Sequence, residues 1–212
     1  MTLKFPLTDL SCIKGVLIDL DDTLYDFSQA NDYALRQVHK YFKKYMDFDS
    51  FIRLYSSLLK KNVENARPSD HSRFLVFKQI LEDKNVPHAW DLAEKAETAF
   101  WNDFIRRIRP EKEAIAFLKQ AKENNLPVCL VSDMFGNIQA RKLRKLKLQK
   151  YIDFMVTNDE TNCDKPNPNI FFKALEKLQL RPEQAVMLGD NLKKDVEGAQ
   201  AVGIKAYLVK KE

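Results

Sequence analysis

The stretch VLIDLDDTL, residues 16–24, places three aspartates, Asp19, Asp21 and Asp22, within four positions at the end of an apolar run. Val16, Leu17 and Ile18 have the aliphatic, partly β-branched character of a buried strand. The strand period of two would send Asp19 and Asp21 to one side and Asp22 to the other. Two carboxylates that close are costly together unless a cation or a proton lies between them. The pair therefore implies a metal, a shared proton, or both.

Matching groups stand where other strands would end. PVCLV runs into Ser132, a hydroxyl ahead of a helix whose first amides can receive a phosphate oxygen. Lys165 lies in NDETNCDKPNPNIF, stiffened by Pro166 and Pro168. AVML is followed by Gly189-Asp190, with Asp195 five residues further on. Hard carboxylate oxygens with no His or Cys beside them favour Mg²⁺ over zinc or copper. A lysine and a hydroxyl next to Mg²⁺ suit the oxygens of a phosphoryl group.

The elements that would carry these residues fall into two regimes. Over 27–107 the pattern is helical throughout, opening with a stripe of Ala30, Tyr33, Ala34, Val38, Tyr41 and Tyr45. A second helix, DSFIRLYSSLLKK, has Asp49 or Ser50 as its cap, and two more follow the breaker cluster ARPSDHS. From Arg109 onward helices alternate with short apolar strands: strands at 126–132, 151–157, 184–189 and 204–209, helices at 110–125, 135–148, 166–180 and 192–203. With the strand at 14–20, this predicts an α/β fold, a doubly wound parallel sheet with helices on both faces. The domains are 1–26 plus 108–212 as an α/β core and 27–107 as an inserted all-helical unit. In such a sheet, ligands bind beyond the carboxyl ends of the strands, near the switch point.

Composition narrows the partners. The 212-residue chain is 45% hydrophobic, enough for a sizeable core, and its net charge of +5 is too diffuse to imply nucleic acid. The basic run RKLRKLKLQK, 141–150, has Leu143, Leu146 and Leu148 interleaved and reads as the solvated face of an amphipathic helix. Cys12, Cys129 and Cys163 lack the spacing of a disulfide framework or zinc site, which points to the cytoplasm. Neither a signal peptide nor a membrane span is expected. His39, His71 and His88 have no metal-ligand spacing.

Taken together, the motifs resemble the haloacid dehalogenase superfamily, mostly Mg²⁺-dependent phosphatases. DLDDT at 19–23 is similar to its DxDxT motif, LVS ending at Ser132 to its second, Lys165 in KPNPNIF to its third, and GDNLKKD at 189–195 to its fourth. The resemblance covers nearly the whole chain and implies a Rossmann-like five-stranded sheet, first strand central, with the insertion as an α-helical cap. It implies Asp19 as nucleophile, forming an aspartyl-phosphate, and Asp21 as the acid and then base. Mg²⁺ would be held by the Asp19 carboxylate, the Asp21 backbone carbonyl and the Asp190 carboxylate. Thr23 would steady the nucleophile loop, Ser132 and Lys165 would bind the phosphoryl group, and Asp195 would brace Lys165 or the metal's surroundings.

The chain departs from that pattern in places. Asp133, in the phosphate-binding segment, stands where relatives commonly have Asn, and is unfavourable there unless it points away. Cys163 stands where relatives often have Gly, and Asn191 where Ser or Thr is common. Asp21 argues against a dehalogenase or a phosphonatase, which carry a non-acidic residue there. A sugar-phosphate mutase would retain it, and a non-catalytic phospho-ligand or nucleic-acid-binding protein would leave the acids idle. The expected activity is hydrolysis of a small phosphorylated metabolite, in a monomer or homodimer away from membranes. Asn65, His71 and Arg73 are the expected substrate-facing cap residues.

Overall fold

The computed structural model describes residues 3–4, 13–63 and 71–211. Cys12, Asn65 and breaker residues 66–70 lie outside the described residues. The chain divides into two compact units, Met1–Phe27 with Ile108–Glu212, and Ser28–Arg107.

The first unit is built on a five-stranded sheet of β2 (Gly15–Ile18), β3 (Val128–Ser132), β4 (Phe154–Thr157), β5 (Ala185–Gly189) and β6 (Lys205–Leu208). Its order is β4-β3-β2-β5-β6, with every pairing parallel. The chain leaves β2 toward β3 on one side and returns to β5 on the other, so the switch point is at the end of β2, beside Asp19. All residues of β2, β3 and β5 are buried, which is why they read as continuous apolar runs rather than alternating ones. One core cluster joins Leu17, Cys129, Val131, Val156 and Met187 to Ile170, Phe171 and Leu175 of α8 (Pro168–Leu178). α5 (Lys112–Glu123) and α6 (Gly136–Leu146) complete the long βα alternation.

Several details were not anticipated. A two-residue strand β1 (Leu3–Lys4) pairs antiparallel with β7 (Lys210–Lys211). A short helix α7 (Asn158–Thr161) follows β4, and the expected helix at 192–203 begins as a π-helical segment, Leu192–Glu197, before α9 (Gly198–Ala201).

The second unit contains α1 (Phe27–Val38, whose first residue belongs to the other unit), α2 (Phe48–Val63), α3 (Arg73–Glu82) and α4 (Ala89–Arg107). The predicted stripe ran to Tyr45, yet the helix ends at Val38 and tightens into a 3₁₀ turn over His39–Tyr41. His39 Nε2 lies 3.0 Å from Met46 O, and the turn directs Phe42 onto Phe51, centroids 4.6 Å apart. The cap of α2 is Asp47, not Asp49 or Ser50: its Oδ1 accepts the Ser50 N–H at 2.8 Å. Phe42, Phe51, Tyr55, Phe77, Phe100 and Trp101 are all buried and form this unit's core. Arg73, expected on a substrate-facing surface, is only 4% exposed. Its guanidinium carbon lies 5.7–5.8 Å from the rings of Tyr55, Phe100 and Trp101, and its Nη1 donates to His71 O at 3.0 Å. Among the described residues no helix is long and apolar enough to cross a membrane.

Candidate active site

Register brings the strand-end residues to one rim. Ile18 pairs with Leu130 and Leu188, so Asp19 is the first residue past β2, its N–H bonded to Leu188 O at 2.9 Å. Asp19 is nearly buried, and its oxygens are divided between two donors. Oδ1 accepts from Lys165 Nζ at 2.6 Å and Oδ2 from Thr23 Oγ1 at 3.1 Å. Thr23 Oγ1 also lies 3.3 Å from Asp190 Oδ1, which ties the loop after β2 to the end of β5.

Lys165 is the hub. Its ammonium donates to Val131 O at 3.0 Å and lies 2.7 Å from Asp195 Oδ1. Asp195 Oδ2 accepts the Asn191 N–H at 3.0 Å, and Asn191 Oδ1 in turn caps the π-helical segment through Lys194 N–H at 2.9 Å. The approach of Asp195 needs Gly189: a Cβ there would meet the Asp195 side chain at 2.3–2.5 Å. The Gly-Asp pair is thus more than a turn, because the missing side chain is the space that Asp195 fills.

Asp19, Asp190 and Asp195 form a carboxylate group, with one oxygen of each of the three within 4.8 Å of the others. The sequence pattern paired Asp19 with Asp21 instead. Strand geometry stops at Ile18, however, so the period of two does not extend to residue 21. Asp21 holds a different set of partners. Lys142 Nζ donates to its two oxygens at 2.7 and 2.8 Å, Gln139 Nε2 donates at 3.3 Å, and the Tyr25 hydroxyl also bonds to it. Asp22 sits at φ +62° and its carboxylate accepts the Phe27 N–H at 3.0 Å, a turn role that Asp tolerates in the left-handed region.

Ser132 is buried at the end of β3, where Gln139 Nε2 donates to its hydroxyl at 2.5 Å. Asp133 follows, expected in the phosphate-binding segment, and both oxygens of its carboxylate are engaged by lysine donors. Oδ1 accepts the Lys165 N–H and Oδ2 the Lys194 ammonium, each at 2.8 Å. Its carboxylate is turned onto the lysine loop, which answers the concern raised by an extra acid at this position. Asn158 closes that loop, donating to Asp133 O and Asp164 Oδ1 at 2.8 Å each.

Charge is out of balance here. Burial and the neighbouring Asp195, Asp190 and Asp21 hold the Asp19 carboxyl above the usual range, against the opposing pull of Lys165. Burial, Asp195 and Asp22 push Asp190 up to about 6. Burial opposes the charge on Lys165, but Asp19, Asp195 and Asp133 outweigh it and keep the amine an ammonium. Burial would likewise raise Asp21, but Lys142 holds it low. With all three carboxyls ionised, one ammonium would leave two negative charges unbalanced in the Asp19–Asp190–Asp195 group, and it is this crowding, with burial, that raises Asp19 and Asp190. Asp195 Oδ1 accepts no directed hydrogen bond despite its short contact with Lys165. Oxygen ligands carrying that charge fit a divalent, hard cation.

The spacing of the single motifs does not point to Lys142, Gln139, Tyr25, Lys194 or Asn158. For two of them a signal existed. Ile138, Gln139, Lys142, Leu143 and Leu146 make one helical stripe, and all are buried. The run 141–150 therefore has a solvated face, but Lys142 is not on it.

A sequence profile described as haloacid dehalogenase-like hydrolase matches residues 13–203. The chain is 30% identical over 200 residues to a ribulose-1,5-bisphosphate 5-phosphatase of Halopiger xanaduensis, covering 92% of this chain and 83% of that one. It is 29% identical over 201 residues to a glyceraldehyde 3-phosphate phosphatase of Methanopyrus kandleri, covering 94% and 84%. Its fold matches a HAD phosphatase from Thermococcus onnurineus with a TM-score of 0.75 at 24% identity, over 94% of this chain and 87% of that one. With the sheet order, the four motifs and this profile in agreement, the chain belongs to the haloacid dehalogenase-like hydrolases.

Proposed function

We propose that this hydrolase is a Mg²⁺-dependent phosphatase that cleaves a small phosphomonoester through an aspartyl-phosphate on Asp19. The observation that carries the reading is the Lys165 ammonium set between Asp19 and Asp195, with Asp190 beside them. Asp19 and Asp190, with the Asp21 backbone carbonyl, would hold the metal. When bound, Mg²⁺ offsets the excess negative charge and polarises a phosphoryl oxygen.

The protein's own groups do the rest. Lys165 and Ser132 receive phosphoryl oxygens, and the Thr23 and Lys165 bonds fix the Asp19 carboxylate for in-line attack. Asp21 would give a proton to the departing alkoxide and then take one from the water that cleaves the acyl phosphate; Lys142 favours its ionised form, which suits the base step, and the acid step requires it to take up a proton first. The helical unit, 27–107, serves as a cap that selects the leaving group. The phosphatases similar over most of the chain point to a phosphorylated small sugar or triose as substrate. The reading includes a cytoplasmic enzyme, monomer or homodimer, in keeping with cysteines that lack a pairing pattern.

Inorganic phosphate release is the test, run with and without Mg²⁺ on a panel containing ribulose 1,5-bisphosphate, glyceraldehyde 3-phosphate and 4-nitrophenyl phosphate. Metal-dependent release from any member is expected. No release from the whole panel in the presence of Mg²⁺ overturns the reading, and transfer of phosphate between sugar hydroxyls without release would make it a mutase.

A further inference from the structure

We propose that Lys142, together with Gln139, is the positioning pair for Asp21, setting the direction of the carboxylate that handles protons in the reaction. The inference rests on the phosphatase reading above and concerns residues outside the four motifs.

Lys142 is 0% exposed, and an ammonium removed from water is stable only when paired. It sits one helical turn beyond Gln139 on the buried stripe of α6, so both reach the same point. Its Nζ spans the two Asp21 oxygens at 2.7 and 2.8 Å, which fixes the plane of the carboxylate as well as its position. The rings of Tyr25 and Phe27, 5.9 and 5.6 Å from Nζ, flank the ammonium, and the Tyr25 hydroxyl adds a further bond to Asp21. Gln139 Nε2 bridges Asp21 Oδ2 at 3.3 Å and Ser132 Oγ at 2.5 Å. One amide thereby sets the distance between the proton-handling acid and a phosphoryl-binding hydroxyl.

A fold-only role accounts poorly for this arrangement. Replacing a buried ion pair by apolar side chains is often neutral or stabilising, so stability alone does not call for one. Lys142 pairs with an acid two residues from the nucleophile and 121 residues away in sequence, rather than with a neighbour on its own helix.

The test is a double-mutant cycle on 4-nitrophenyl phosphate with Mg²⁺, comparing wild type, Lys142→Met, Asp21→Asn and the double variant. If Lys142 acts through Asp21, Lys142→Met lowers kcat on the order of 100-fold, the scale of a lost proton-transfer group. KM then stays within about 3-fold, since ground-state binding is not what was removed. In the Asp21→Asn background the same substitution costs less than about 3-fold, because its target is already gone. An equal loss in both backgrounds, or wild-type kcat in Lys142→Met, overturns the proposal. If Lys142→Met does not fold, Gln139→Met goes through the same cycle, with about a 10-fold loss expected only where Asp21 is present. Wild-type protein that releases no phosphate from any member of the panel above would refute the phosphatase reading instead, which separates the two failures; a member that is hydrolysed serves for the cycle if 4-nitrophenyl phosphate is not.

Discussion

Gly189→Ala is the smallest change that tests how the lysine hub is built. The added methyl would stand 2.3 Å from Cγ, 2.4 Å from Oδ2 and 2.5 Å from Cβ of Asp195. An ordinary carbon contact is about 3.5 Å or more, so roughly 1 Å must open between β5 and the segment carrying Asp195. The clash includes Asp195 Cβ, so rotating the carboxylate alone does not relieve it; the backbone of the π-helical segment must move. That segment is held by Asn191 N–H on Asp195 Oδ2 at 3.0 Å, and the Lys165 contact at 2.7 Å would stretch with it. Overpacking of this kind costs about 1–3 kcal/mol. For a chain of this length that lowers Tm by roughly 3–10 °C. A displacement of about 1 Å at the group that orients Lys165, the proposed phosphoryl ligand, should also lower kcat/KM on the order of 100-fold. Thermal unfolding and steady-state hydrolysis of 4-nitrophenyl phosphate measure the two effects. A variant with unchanged Tm and kcat/KM within about 3-fold of wild type would show that Gly189 is not the space on which Asp195 depends.

Other expectations concern individual charges. On the proposed mechanism Asp19→Asn removes both the nucleophile and a metal ligand, so turnover should vanish and Mg²⁺ affinity by calorimetry should fall; residual turnover above about 1% would assign the attack to another group. Orthovanadate should inhibit the wild type with Mg²⁺, and Lys165→Ala should weaken that inhibition by at least about 10-fold, whereas equal inhibition would remove Lys165 from the phosphoryl site. The carboxyl of Asp190 is raised to about 6 in the folded chain from 3.8, so the metal-free native state holds this proton more tightly than the unfolded one. Its contribution favours folding at low pH and is lost as pH rises from about 4 to above 6, by on the order of 1–2 kcal/mol after allowing for partial exposure. In chelator, Asp190→Asn should therefore melt above wild type at pH 7 and level with it at pH 4, and Mg²⁺ should reverse the order at pH 7. Parallel melting curves across that range would contradict the excess charge inferred for the cluster.

What could be read directly from the sequence is what depends on short-range periodicity. The apolar runs at β2, β3 and β5 are continuous because both faces of those strands are covered, and this pattern alone placed Asp19, Ser132 and Asp190 at carboxyl ends. The change from an all-helical block to strand–helix alternation is likewise a local pattern, and on it rest the expected sequence boundaries at 26/27 and 107/108. The cap of α2 fell at Asp47 rather than two or three residues later, because a cap is decided by one side-chain hydrogen bond and not by periodicity.

The partners of the charged groups were decided by tertiary structure. Lys142 was one cation among several in a basic run, and only the packing of α6 turned it inward, toward an acid 121 residues away. Asp133 could have faced a phosphate, and the course of the lysine loop decided otherwise by bringing Lys165 N–H and Lys194 to its two oxygens. The strand period assigned Asp21 to the charge cluster, but strand geometry ended at Ile18 and Asp195 came in over Gly189 instead. Side-chain alternation and helical stripes are local properties of the backbone, legible over a few residues. Which charges meet depends on strand order and on how each loop crosses the rim, and those are set by the packing of the whole sheet.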